Sequence, residues 1–172
     1  MDKWKYGTSD IPTSGCGAVA FYNAMILLGR KVDFSAIVAM FDFYGLVWGE
    51  EFGTVFWAIE KMAKTFGLNY QDTDLFPETI YAESMVSLLL RNGKTVAIVL
   101  NNNKKGDLFG LKHYYTLSSN FNDNGDSIKD ETEKKYISYN RYSGFSEPKY
   151  YDSLRESLDD GEIYKIYFLS ER

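Results

Sequence analysis

Cys16 and His113 are the only cysteine and the only histidine in this chain of 172 residues. A thiol and an imidazole together can run nucleophilic acyl transfer: the sulfur attacks a carbonyl, and the imidazole takes the thiol proton and later returns it to the leaving group. Cys16 lies in Ser14-Gly15-Cys16-Gly17-Ala18, a small-residue turn that runs into the apolar stretch Val19 to Leu28. That setting predicts a sulfur at a helix N-terminus, where the helix dipole, and a nearby imidazolium, would lower its pKa. Gly15 and Gly17 would let backbone approach a substrate carbonyl, and the N–H of Cys16, with one side chain upstream, would form the oxyanion hole. His113 opens the β-prone run His113-Tyr114-Tyr115-Thr116-Leu117, and Asn140 closes another, Lys135 to Asn140. The amide of Asn140 could orient the imidazole through its side-chain carbonyl without adding charge. Each residue has a plainer alternative: a small packed cysteine, a satisfied structural histidine, an asparagine that ends a strand. The joint order Cys, His, Asn and the glycine setting favour the chemical reading.

The elements that must bring these residues together follow from the pattern of the chain. Apolar residues after Cys16 are too dense for a surface amphipathic helix and predict a mostly buried one, stopped at Gly29. Asp33 is a good N-cap for a second helix with Phe34, Ile37, Val38 and Phe41 on one face. Thr54 could cap a third helix carrying Val55, Ile59 and Met62 and ended by Gly67. Thr79 to Leu90 reads as a fourth, broken by Gly93. Then the period changes. Thr95 to Leu100 is an unbroken β-prone run, followed by strands at His113 to Ser118, Lys135 to Asn140 and Ile163 to Leu169. Asn124-Gly125 signals a hairpin, and Asp152 to Leu158 a short helix. Helices first and strands second is the α+β pattern of segregated elements. The reading is one domain over 1–172, helical over about 15–92 and sheet over about 93–172. The nucleophile helix would pack on a mostly antiparallel sheet.

Composition narrows the function classes. Hydrophobic residues at 45% and aromatic residues at 17% argue for a folded chain, and a formal net charge of −5 argues against nucleic acid as a partner. A lone cysteine makes no internal disulfide, and with one histidine it cannot build a thiolate zinc site, so no metal and no cofactor are expected. Met1 to Tyr6 holds no apolar leader core and no spanning segment follows. That predicts a cytoplasmic chain as written, or a secreted one whose signal peptide has been removed. The aromatic runs Phe41 to Tyr44 and Phe52 to Trp57 read as core, with a substrate groove as the lesser alternative. Glu50, Glu51, Asp159 and Asp160 read as solvated charges.

The segment Ser14 to Ala20, with Asn23 and Leu28-Gly29, resembles the nucleophile helix of papain-like cysteine peptidases related to the bacteriocin-processing, double-glycine-cleaving group. Gly53-Thr54-Val55, Leu89 to Val99, His113 to Leu117 and Tyr139-Asn140 resemble further stretches of that group, so the likeness spans roughly residues 10 to 168. It implies a papain-like fold with Cys16 as nucleophile, His113 as base and Asn140 as orienter, acting on a peptide or acyl substrate. One departure matters. Such enzymes commonly carry a glutamine six positions before the nucleophile, whose amide completes the oxyanion hole, and here that position is Asp10. An ionised carboxylate cannot donate and opposes a developing oxyanion. The resemblance therefore implies a thiol hydrolase acting on peptide amide bonds. An acyltransferase using a thioester donor, or a non-enzymatic peptide-binding domain with an impaired oxyanion hole, are the alternatives.

Overall fold

The computed structural model describes residues 5–6, 9–10, 15–47, 53–91, 93–106, 112–121, 134–140 and 147–172, with the backbone alone for 5–6 and 9–10. In chain order the elements are β1 (Lys5–Tyr6), β2 (Ser9–Asp10), α1 (Cys16–Leu27), α2 (Phe34–Phe43), α3 (Ala58–Thr65), β3 (Asn69–Asp72) and α4 (Thr79–Leu90). There follow β4 (Thr95–Asn102), β5 (Lys112–Ser119), β6 (Tyr136–Tyr139), β7 (Lys149–Tyr151), α5 (Leu154–Leu158) and β8 (Glu162–Ser170).

The sheet is six-stranded, in the order β3-β8-β4-β5-β6-β7, and every neighbouring pair is antiparallel. β1 and β2 form a separate antiparallel pair with Lys5 opposite Asp10. β4 is buried from Val96 onward, because the sheet is covered on both faces. Successive strand residues point to opposite sides, and the two cores divide β4 accordingly. Val96, Ile98 and Leu100 pack with Ala18, Phe21, Met25, Ile37, Phe41, Ile59 and Met62 from α1, α2 and α3. Ala97 and Val99 pack with Ala82, Val86 and Leu90 of α4 and Leu154 and Leu158 of α5. The helices thus lie in two layers with the sheet between them.

Most of the expected elements are present. α1 begins at Cys16 and ends where Gly29 takes a φ of +80°, a left-handed backbone that glycine adopts at low cost. Asp33 caps α2, its Oδ1 accepting from the N–H of Ser35 at 2.8 Å. Ser153 caps α5 by accepting from the N–H of Glu156 at 3.0 Å. The third helix differs from its expectation. It starts only at Ala58, because Thr54 pairs in a β-bridge with Val47 instead of capping a helix. β3 and β7 were not expected. β3 joins the sheet beside β8 although it lies in the helical part of the chain, and α4 covers the sheet face opposite α1. The expected hairpin at Asn124-Gly125 lies outside the described residues.

One close approach fixes the start of α1. A Cβ added to Gly17 would stand 2.4 to 2.6 Å from the side chain of Thr54, nearer than any side chain can pack. Packing of Thr54 therefore requires a glycine at this position. Gly17→Ala is expected to lower folding stability by roughly 1–3 kcal/mol through overpacking. Thr54→Gly in the same chain should return part of that loss, as read from urea unfolding midpoints. A Gly17→Ala protein as stable as the natural one would contradict this packing.

Candidate active site

The site is built where the N-terminus of α1 meets the first residues of β5. α1 is held on the sheet by its small residues and by the buried hydroxyl of Thr116, which donates to the carbonyl of Ala20 at 2.8 Å. Two residues before Thr116 in β5 lies Tyr114, whose hydroxyl donates to the carbonyl of Val55 at 3.1 Å. Val55 follows Thr54, the residue packed on Gly17. Helix start, strand start and the 53–55 segment therefore meet around Cys16.

Cys16 is the first residue of α1 and keeps part of its surface exposed. Burial among its neighbours pushes its thiol up, and hydrogen bonds from the backbone of Tyr114, Gly17 and Cys16 itself pull it down without offsetting that burial. This corrects the expectation of a thiol lowered by the helix start: the N–H groups are present, but desolvation outweighs them. Gly15 is the N-cap, and its carbonyl accepts from the N–H of Val19 at 3.0 Å.

His113, the second residue of β5, is half-buried and sits opposite Asn101 of β4. Its Nε2 meets the main-chain carbonyl oxygen of Asn140. Asn140 follows the end of β6 with a φ of +62°, a left-handed conformation that asparagine tolerates better than most residues. Its side-chain Nδ2 donates to the carbonyl of Tyr114 at 3.2 Å and, at 3.5 Å, to that of Cys16. The three residues singled out in the sequence thus share one hydrogen-bonded cluster. The role expected of Asn140 is redistributed, however. The contact on the imidazole comes from its main chain, while its side chain holds the backbone beside Cys16 and His113.

Of Asp10 the structure describes only the backbone, in β2; its side chain lies outside the described residues, as do Glu50, Glu51 and Phe52. Tyr114 is the residue that the sequence reading missed. Its only signal there was its place directly after His113. The aromatic runs divide between core and surface. Phe41 is fully buried, but Phe43 is 83% exposed, and Phe56 and Trp57 are 40% and 43% exposed. Phe56 stands edge-on to Trp57 and near Tyr164, which also packs against Phe76 and lies under the ammonium of Lys112. Among the described residues no group of three or more His, Cys, Asp or Glu side chains could hold a metal ion, and no helix is long and apolar enough to cross a membrane.

No family model matches the chain, and no curated protein matches it by sequence. The fold does have a solved counterpart. It is similar to the peptidase domain of Streptococcus ComA, a bi-functional ABC transporter involved in a quorum-sensing pathway, with a TM-score of 0.51 at 12% identity. The match covers 98% of this chain and 100% of that one. The fold is thus the α+β, papain-like peptidase fold that the sequence implied.

The thiol's displacement makes a pH-dependent prediction. Alkylation of Cys16 by iodoacetamide should be slower at pH 7 than that of the unfolded chain and should keep rising above the ordinary thiol value of about 8.5. The sign for stability follows. The folded thiol holds its proton to higher pH than the unfolded one, so it has no effect below that value and lowers stability as pH rises above it. Cys16→Ser should flatten that alkaline decline. Fast alkylation at mildly acidic pH would overturn this account.

Proposed function

We propose that this protein is a papain-like cysteine peptidase-like hydrolase of one domain, with Cys16 as nucleophile, His113 as base and Asn140 as the third member of the site. The observation that carries the reading is the Asn140 side-chain amide, which bridges the carbonyls of Cys16 and Tyr114 and so ties the nucleophile's helix to the base's strand. The likeness of fold to a peptidase domain supports it.

The proposed chemistry starts from the imidazole. A carbonyl oxygen only accepts, so Nε2 of His113 carries a proton toward Asn140 and Nδ1 is the nitrogen that takes one. The thiol is held neutral by burial, so its proton moves to Nδ1 as the sulfur attacks the peptide carbonyl, rather than before. The carbonyl's π pair moves to oxygen, where the N–H groups at the start of α1 face the negative charge. Collapse breaks the C–N bond, and the proton on Nδ1 goes to the leaving amine. Water then attacks the thioester, giving up its proton to Nδ1, and the thiol is regenerated with a carboxylic acid as product.

Asp10 keeps a second reading in view, acyl transfer from a thioester, which needs less oxyanion stabilisation than an amide. One missing oxyanion donor costs on the order of 100- to 1000-fold in turnover. Cys16→Ala and His113→Gln should each abolish cleavage of a peptide library that includes sequences ending in Gly-Gly, while the melting midpoint stays within a few degrees. Cleavage surviving Cys16→Ala would sink the assignment. Asp10→Gln should raise peptide turnover, by up to about 100-fold, with a smaller effect on a thioester. Brisk natural cleavage that Asp10→Gln leaves unchanged would place Asp10 away from the oxyanion.

A further inference from the structure

We propose that Asn140 is a positioning residue with two separate actions: its main-chain carbonyl sets the tautomer of His113, and its side-chain amide clips the backbone of the nucleophile to the backbone beside the base. The inference rests on the reading of Cys16 and His113 as nucleophile and base.

The first action needs no asparagine side chain. The oxygen that meets Nε2 of His113 belongs to the peptide group, and it is presented from a residue with a φ of +62°. Any residue that holds the left-handed conformation can present that oxygen, and glycine does so with no Cβ penalty. The second action does need an amide. Nδ2 carries two protons and meets two acceptors, the carbonyls of Tyr114 at 3.2 Å and Cys16 at 3.5 Å. Aspartate has nearly the same shape but would turn lone pairs, and a negative charge, toward two carbonyl oxygens. A side-chain orienter behaves in the opposite way. Aspartate would accept from the imidazole as well as asparagine does, and glycine would remove that side-chain acceptor. The two arrangements therefore rank the variants Asn140→Gly and Asn140→Asp in opposite order.

His113 is the chain's only histidine, so its two ring nitrogens can be read by ¹⁵N NMR without ambiguity. The natural protein and Asn140→Gly should both show a neutral imidazole protonated at Nε2. Asn140→Gly should hydrolyse peptide, or alkylate at Cys16 in a His113-dependent way, faster than Asn140→Asp. Loss of the clip together with the added repulsion should lower Asn140→Asp by on the order of 100-fold, the scale of a misplaced reacting pair. Melting midpoints of both variants separate these effects from unfolding. The proposal is overturned if the proton lies on Nδ1, if Asn140→Gly loses the Nε2–H form while still folded, or if Asn140→Asp outperforms Asn140→Gly. Failure of the underlying reading looks different: the tautomer is as stated, but Cys16 alkylates at the same rate in the natural protein and in His113→Gln.

Discussion

The contact between α1 and β5 is the constraint on which the rest of the site depends. Thr116 is fully buried, and its hydroxyl finds its acceptor in the carbonyl of Ala20, in the second turn of the helix. A buried hydroxyl without an acceptor costs about 1–3 kcal/mol, so the helix cannot slide along the strand without exposing that cost. Ala18, Ala20 and Ala24 keep the helix slim where it meets the sheet, and Gly17 lets Thr54 close over its first turn. A shift of α1 would break the Thr116 bond, open the Gly17–Thr54 contact and lift Cys16 away from Tyr114 at once. The position of the sulfur is therefore a consequence of core packing and not of local loop geometry.

That packing also sets the electrostatics. The N-terminus of a helix offers N–H groups that favour a thiolate, and Cys16 receives them, but the closeness that brings them also strips solvent from the sulfur. Desolvation is the larger effect, so the thiol's pKa lies above its ordinary value. On the imidazole, Nε2 meets a neutral main-chain carbonyl, that of Asn140.

The sheet that carries His113 is supported from both sides. β4 and β5 lie at its centre, and β6 and β7 extend it beyond β5. Residues of β4 alternate between two apolar cores, so neither face can be repacked without disturbing the other. β6 ends at Tyr139, and the left-handed Asn140 takes the chain out of the ladder at the point where its carbonyl meets the imidazole.

Much of this was legible in the residues themselves. The unbroken Thr95 to Leu100 run marked a strand buried on both faces, Asp33 and Gly29 marked helix limits, and a lone cysteine between glycines with a lone histidine at a strand start marked the cluster. These signals are local: capping, backbone freedom and hydrophobic period act over a few residues, and the sequence displays them directly. The rest depended on partners far along the chain. β3 is a polar four-residue segment, Asn69–Asp72, that becomes a strand because β8 lies beside it. Thr54 becomes a bridge residue packed on Gly17 instead of a helix cap, Tyr114 becomes a backbone partner of Cys16, and Asn140 meets the imidazole through its main chain. The sequence determined which residues could do chemistry, because side-chain type is local. Which atoms of each meet was decided by the tertiary structure, because a backbone carbonyl or N–H is common to every residue and only the fold gives it a direction.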